Sequence, residues 1–213
     1  MNARLATVLV AAAATTATAS AGYTITQQNA PAPTYSNTLN FDEPGALTGP
    51  VPANAYASLG IAQMFSGTGD QSVGDNSVFY PWVNDGNSMF ANFGINVIFD
   101  APISEFSIQV WDPSGPPSFI GGGLQVALFN QGEQVWDLVA QNGSLAEPAW
   151  GGVGDSWFDI TTTDGMTFDE VRIFGLGFTP TAFIDNLSWN TVPAPSALAL
   201  VGIAGLGATR RRR

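Results

Sequence analysis

The chain has 213 residues, of which 45% are hydrophobic, and this composition fits one folded domain and not a disordered chain. It contains neither cysteine nor histidine, which excludes disulfides, thiolate nucleophiles, serine–histidine triads and histidine-ligated zinc or iron. One arginine and seventeen carboxylates lie between residues 22 and 191, a net charge of −16, which disfavours nucleic acid and anionic lipid as partners of this segment. Hard cations that prefer oxygen ligands, calcium first, remain compatible with these residues.

The N-terminal segment has the three parts of a secretory signal peptide. Arg4 supplies a positive charge, residues 5–14 form an apolar stretch, and small residues at 17, 19 and 21 match a small-x-small cleavage site. A buried helix or a membrane anchor is the alternative, but the apolar stretch is too short to cross about 30 Å of hydrocarbon. We therefore predict a signal-peptide helix within residues 1–21 and cleavage after Ala21.

Residues 37–191 show the pattern of an all-β domain, and residues 22–36, with an Ala-Pro-Ala-Pro run, are expected to be a flexible lead-in. Apolar and polar residues alternate, and glycine, proline, asparagine and aspartate interrupt the chain about every ten residues. We predict a hairpin of strands 124–129 and 134–139, and further strands at 38–41, 77–80, 94–100, 105–112, 157–160, 171–174 and 183–189. This number of short strands favours a two-sheet antiparallel β-sandwich, a jelly roll.

Exposed tryptophans beside polar residues would provide platforms for sugar rings. Trp111 precedes Asp112 and Trp136 precedes Asp137, so these two tryptophans are candidates for glycan binding. The alternative for each tryptophan is an ordinary buried core position.

A glycosidase would need two carboxylates placed about 5 to 10 Å apart across a sugar. Asp155 with Asp159 offers such a pair, whereas the neighbours Asp169 and Glu170 would point to opposite faces of a strand. The sequence contains no Glu-x-Asp-x-x-Glu motif of the kind found in jelly-roll glycosidases. We therefore expect no enzymatic activity.

The C-terminal residues 192–213 form a separate unit. A Pro-Ala-Pro motif is followed by an uncharged stretch of small and apolar residues at 196–209 and then by four arginines. A helix over 196–209 would be about 21 Å long, and arginines that reach the headgroups could make it a marginal span with the positive cluster in the cytoplasm. The alternative is a core helix followed by a solvated basic tail.

This C-terminal unit resembles a PEP-CTERM sorting signal, which combines a Pro-x-Pro motif, a short apolar helix and a terminal arginine cluster. Ala194 stands where that family usually has glutamate. The resemblance implies an exosortase-like processing enzyme as a partner, a transient anchor in the inner membrane, and delivery to the surface of a Gram-negative-type cell. The residues that carry the resemblance are Pro193, Ala194, Pro195, Arg210, Arg211, Arg212 and Arg213.

Two short stretches resemble the ends of calcium-binding jelly-roll modules, some of which bind carbohydrate. They are LNFDEPG at 39–45 and AFIDNLSW at 182–189. In such modules the first and last strands are neighbours, and the resemblance implies that Asp42, Glu43 and Asp185 are calcium ligands. The alternative is that Asp42 ends a strand and that Asp185 caps a turn or faces water.

Together these features predict an exported, surface-sorted and non-catalytic β-sandwich protein with a structural or adhesive role in the extracellular matrix or envelope. One alternative is a calcium-stabilised carbohydrate-binding module that binds extracellular polysaccharide. The other is a carboxylate-dependent glycoside hydrolase. No cofactor other than calcium is expected, and nucleic acid is not expected as a partner.

Overall fold

A computed structural model describes residues 16–20, 22–28, 31–43, 46–78, 86–111, 123–137, 156–176 and 182–192. These residues form antiparallel β-strands and two short 3₁₀ helices at Ala57–Leu59 and Asn76–Val78. The prediction of an all-β fold is therefore confirmed. The strands are β1 Thr16–Ser20, β2 Tyr23–Gln28, β3 Asn37–Leu39, β4 Gly49–Pro50, β5 Ile61–Ser66, β6 Ser72–Gly74, β7 Ser88–Ala91, β8 Ile95–Trp111, β9 Gly123–Asn130, β10 Glu133–Asp137, β11 Ser156–Thr162, β12 Phe168–Leu176 and β13 Ala182–Thr191.

The long strand β8 pairs with different neighbours along its two halves. Its first half, residues 95–99, pairs with β5 and β12, and Phe168 of β12 also pairs with Ile103 beyond a register shift. β12 continues through β9 to β10. Its second half, residues 103–111, pairs with β11 and β13. From there the pairing continues through β2 to β1 on one side and to β3 and β7 on the other.

The two strands predicted at 94–100 and 105–112 are in fact the two halves of β8. Pro102 lies between them and lacks an N–H group for the ladder. Its carbonyl still accepts a hydrogen bond from the Val192 N–H at 2.9 Å, while the Asp100 N–H donates to the Gly60 carbonyl at 3.1 Å. Val192 and Gly60 thus bond to backbone groups of β8 at the point where the strands paired with it change.

The core is built from the alternating apolar side chains that the sequence pattern indicates. Phe106, Ile108 and Val110 of β8 are fully buried. The ring of Phe99, in the first half of β8, has its centroid 5.8 Å from that of Phe106 and 5.6 Å from that of Trp189 in β13. Aromatic contacts therefore join the two halves of β8 within one core cluster.

Two expectations about irregular and regular segments were wrong. The lead-in at 22–36 contains β2, which pairs with β11 because Tyr23 and Ile25 bury their side chains to 2% exposure. Residues 77 and 78, expected to begin a strand at 77–80, belong instead to the 3₁₀ helix Asn76–Val78, where the N–H of Ser77 donates to Asp75 Oδ1 at 3.0 Å. Residues 79 and 80 lie outside the described residues.

The next observations concern the two terminal segments of the chain. Residues 16–20, expected within the signal peptide, form β1 along the outer edge of β2. The predicted apolar helices at 5–14 and 196–209 lie outside the described residues. Within the described ranges, no helix has the length and apolar character needed to cross a membrane.

We expect Phe106→Ala to lower the free energy of unfolding by about 3 to 5 kcal/mol, because it removes a fully buried ring at the centre of the core. Urea denaturation measures this change. The matched control is Val78→Ala, at a side chain that is 70% exposed, where we expect a change below about 0.5 kcal/mol. Equal effects of the two substitutions would contradict the assignment of the core.

Candidate functional site

A β-bulge in β13 is the centre of the candidate site. Asp185 pairs with Gln109 of β8, and Ser188 pairs with Ser107, so three steps along β13 correspond to two along β8. Asn186 occupies the extra position with a φ of 48°, a left-handed conformation that asparagine tolerates better than most residues. Before the bulge β13 pairs with β7, and after it β13 pairs with β3.

The bulge places amide and carboxylate groups in one hydrogen-bonded network. Asp185 is fully buried and accepts the Asn186 N–H at 2.7 Å, while Asn186 Nδ2 donates to Gln109 Oε1 at 2.6 Å. Asn40, which follows β3, donates from Nδ2 to Asn186 Oδ1 at 3.2 Å. The buried Nε2 of Gln109 has no hydrogen-bond partner among the described residues. The first and last predicted strands of the domain are thus linked through side-chain amides.

Asp42 and Glu43 serve a different part of the chain from Asp185. Asp42 is exposed, and its Oδ1 accepts the N–H of Asn87 at 2.7 Å. A Cβ atom at Gly86, whose φ is 72°, would lie 2.0 Å from Asp42 Oδ2, so the turn before β7 requires glycine for this approach. Glu43 is exposed, and its carbonyl accepts the N–H of Ala46 at 2.8 Å.

The proposed calcium ligands therefore have separate hydrogen-bonding roles. In the described part of the chain, no three acidic residues converge into a group that could hold a metal ion. Asn40 connects the two places, because its Oδ1 accepts the Asp42 N–H at 2.8 Å and its Nδ2 reaches Asn186. The resemblance to calcium-binding modules implied neighbouring first and last strands, and β3 does pair with β13. The calcium ligand set stays a hypothesis.

A segment before β3, residues 31–36, crosses the polar face of β8 and β13. We call it the strap. Ser107 Oγ donates to the Pro33 carbonyl at 2.8 Å and lies 2.7 Å from Ser188 Oγ, which accepts the N–H of Tyr35 at 3.0 Å. The N–H of Ser36 donates to Asn190 Oδ1 at 2.9 Å. Side chains of two strands thus satisfy the polar backbone of the strap.

The strap also contacts a half-buried carboxylate of β11. The hydroxyl of Tyr35 donates to Asp159 Oδ1 at 2.6 Å, and on the neighbouring strand Glu105 accepts a hydrogen bond from Asn190 Nδ2. Burial raises the pKa of Asp159, the Tyr35 hydrogen bond opposes the rise, and the charge of Glu105 adds to it. Burial and then Asp159 raise the pKa of the Tyr35 hydroxyl.

A small cleft lies between the strap and the bulge. Apolar and uncharged polar side chains line it: Thr34, Thr38, Leu39, Asn40, Ser107, Trp157, Asn186, Leu187 and Ser188. Trp157 is partly exposed and pairs with Gln109, next to Asp185 in the sheet. A partly exposed aromatic ring in such a cleft can pack against the apolar face of a sugar ring. This residue was missed, although its alternation with Phe158 in SWFDIT places it opposite the core.

The two tryptophans chosen from sequence do not provide a shared platform. Trp136 is 2% exposed and packs in the core cluster, so the exposed position expected for it was wrong. Its neighbour across the hairpin is Leu128 of β9, and the apolar environment explains its burial. The backbone of Trp111 pairs with Phe183 of β13, while its side chain lies outside the described residues.

The carboxylates considered for hydrolysis also act in local structure. Asp169 accepts the N–H of Gln131 at the hairpin turn, at 3.1 and 3.0 Å from its two oxygens. Glu170 is 8% exposed and forms an ion pair with Arg172 at 2.5 Å. Asp155 and the sorting-motif residues, Pro193 to Pro195 and the four terminal arginines, lie outside the described residues.

One further carboxylate stabilises the turn between β5 and β6. Asp70 accepts hydrogen bonds from Thr68 Oγ1 at 2.5 Å, Asn92 Nδ2 at 2.6 Å and Ser66 Oγ at 2.8 Å. These bonds, that from Thr68 first, lower the pKa of Asp70 to about 2. The ionised form is therefore the one that holds this turn.

No protein-family model, curated protein or solved structure matches the chain.

We expect Asp159→Asn to increase the stability of the folded protein at neutral pH, because the carboxylate is half-buried close to Glu105 and the amide is uncharged. The fold raises the pKa of Asp159 above its ordinary value of 3.8, so protonation favours the folded state. The stability that this group contributes is complete below pH 3.8 and is lost as the pH rises through the raised pKa. Urea unfolding from about pH 3 to about pH 7 should show the two proteins converging at the acidic end.

Asp164→Asn is the matched control, since Asp164 is an exposed carboxylate in the turn after β11. It tests whether the pH-dependent difference needs burial. A wild-type protein that is more stable than Asp159→Asn at neutral pH would contradict the proposed cost of the buried charge.

Proposed function

We propose that this chain is an exported, surface-sorted and non-catalytic β-sandwich protein with a structural or adhesive role in the extracellular matrix or envelope of a Gram-negative-type cell. The observation that carries the proposal is the distribution of charge along the chain. Five of its six basic residues lie in the two terminal segments, and every carboxylate lies between Asp42 and Asp185. Each basic end accompanies an apolar stretch, which is the pattern of a signal peptide at one end and of a sorting signal at the other.

The roles of the described carboxylates support a structural function. Asp42, Asp70 and Asp169 hold turns through hydrogen bonds from backbone or side-chain donors. Asp159 holds the strap, and Asp185 orders the bulge of β13. An acidic surface of this kind keeps a secreted domain soluble and repels other polyanions.

The finer fold that we propose is a sandwich of two antiparallel sheets that share β8. The change of partners at Pro102 supports this arrangement, because strands that pass from one sheet to the next form the corners of such sandwiches. In this arrangement the strap and the cleft lie on the outer side of one sheet, since the neighbouring positions Phe106, Ile108 and Val110 point into the core.

A carbohydrate-binding module is the second candidate function. The observation that favours it is the cleft beside Trp157, where apolar and uncharged polar side chains lie next to a partly exposed indole ring. The ligand that fits best is a neutral polysaccharide, because the acidic domain repels anionic ones. Calcium near Asp42, Glu43 and Asp185 would act in this hypothesis by fixing β3 against β13.

We expect the exported protein to begin at Gly22 and to lack the arginine cluster. The intact mass of the protein recovered outside a host that has an exosortase measures both ends at once.

Replacing Arg210–Arg213 by serines should reduce retention at the inner membrane. Ala194→Glu should increase the processed fraction, since glutamate is the usual residue at this position of the PEP-CTERM signal that the C-terminal unit resembles. A full-length chain that stays in the cytoplasm of this host would contradict the proposal.

Trp157→Ala should weaken binding to a neutral polysaccharide by at least about tenfold if the module hypothesis is correct, because a central stacking ring is lost. Glycan arrays, each run with calcium and with a chelator, measure this effect and the role of the ion. Phe93→Ala is the matched control, since Phe93 is an aromatic residue that is 56% exposed away from the cleft. Binding that survives Trp157→Ala unchanged would exclude the cleft as the sugar site.

A further inference from the structure

The outer edge of β2 is covered by residues that the predicted cleavage would remove. β1 pairs with β2 over its whole length, from Thr16 opposite Gln27 to Ser20 opposite Tyr23. The predicted cleavage site follows Ala21, between these two strands. On its other side β2 pairs with β11 along six positions, and this pairing does not involve residues 1–21. Cleavage would therefore leave β2 in the sheet and open its outer edge.

We propose that in the exported protein the open edge of β2 pairs antiparallel with β2 of a second copy, which extends the sheet through a symmetric dimer. The inference rests on the proposed function for the cleavage after Ala21, and it names a partner for the structural role. An open edge presents a row of unpaired N–H and C=O groups, which is a template for another strand. Natural edges are often protected by lysine, proline or inward-pointing charge, and the segment YTITQQ contains none of these.

The pairing of β1 shows which backbone groups face this edge. Ser20 and Tyr23 are opposite each other across a connection of two residues, so they form a hydrogen-bonded pair. Every second residue from Tyr23 then directs its N–H and C=O groups toward β1, and Ile25 is at the centre of this set. A two-fold pairing centred on Ile25 uses the same groups, with Ile25 opposite Ile25 of the second copy.

The side chains of β2 suit this register. Ile25 is 2% exposed and lies on the core side, so two isoleucines would meet there and continue the apolar layer. On the outer side the two-fold axis would create two equivalent pairs, each with Thr24 of one copy opposite Thr26 of the other, and such threonine pairs are favourable. The domain is acidic, but its first carboxylate is Asp42, so β2 itself carries no charge. Repulsion between like charges on the two β2 strands therefore does not oppose their pairing.

Two double substitutions test the register. Thr24→Lys with Thr26→Lys places lysine opposite lysine at both outer pairs, and we expect about tenfold weaker dimerisation. Thr24→Glu with Thr26→Lys places glutamate opposite lysine at both pairs and should restore the affinity. Lysine suits position 26 in both variants, because Thr26 pairs with Asp159 on β11. Thermal melting of each variant checks that the domain remains folded.

The measurement is sedimentation velocity over a range of protein concentrations, made on the exported protein whose intact mass has been determined. A chain that begins at Gly22 and forms a dimer with the expected response to both variants supports the proposal. A chain that begins at Gly22 and is monomeric, or whose dimer ignores the lysine variant, overturns the proposal and leaves the export hypothesis intact. A chain that keeps residues 1–21 overturns both, because β1 then occupies the edge.

Discussion

The structure depends on one strand that has two sets of neighbours. β8 pairs with β5 and with most of β12 along its first half, and with β11 and β13 along its second half, while Ile103 pairs with both β12 and β13. The rings of Phe99, Phe106 and Trp189 join the two halves in one core. The change of partners at Pro102 is tolerated because Val192 and Gly60 satisfy the backbone groups beside it.

The strap, the bulge of β13 and the cleft all lie on the polar side of the second half of β8. Ser107 and Gln109 are fully buried although they point away from the core, because the strap and the bulge of β13 cover them. Hydroxyl and amide groups satisfy most of this covering layer, and the cleft beside Trp157 lies where the strap leaves the sheet. In the function that we propose, this face of the domain would serve adhesion and the edge of β2 would serve assembly.

The sequence predicted what depends on alternation alone. The hairpin of β9 and β10, the strands β11, β12 and β13, and the inward positions of Phe106, Ile108 and Val110 agree with the structure. The period of two fixes which face of a strand is buried, and glycine and asparagine mark its ends, so local pattern is sufficient there.

Features that depend on tertiary context were missed. β2 was not expected, since only burial of Tyr23 and Ile25 against β11 makes a threonine- and glutamine-rich segment a strand. Trp136 was a candidate for an exposed sugar platform because its neighbour is polar, with a core position as the alternative, and the structure buries it in the core. The bulge at Asn186 needs a left-handed residue, and an Asp-Asn pair indicates this only when the register with β8 is known. The cleft joins residues from the strap, β3, β8, β11 and β13, which no local pattern connects.

The central claim is that the acidic domain resides on the outside of the cell. Because the chain contains no cysteine, a single cysteine can report its location. Val78→Cys introduces a thiol at a position that is 70% exposed, and Ala91→Cys introduces one at a fully buried position as a control. A membrane-impermeant maleimide applied to intact cells should label the first and not the second. Labelling of Val78→Cys only after the cells are broken would contradict the account.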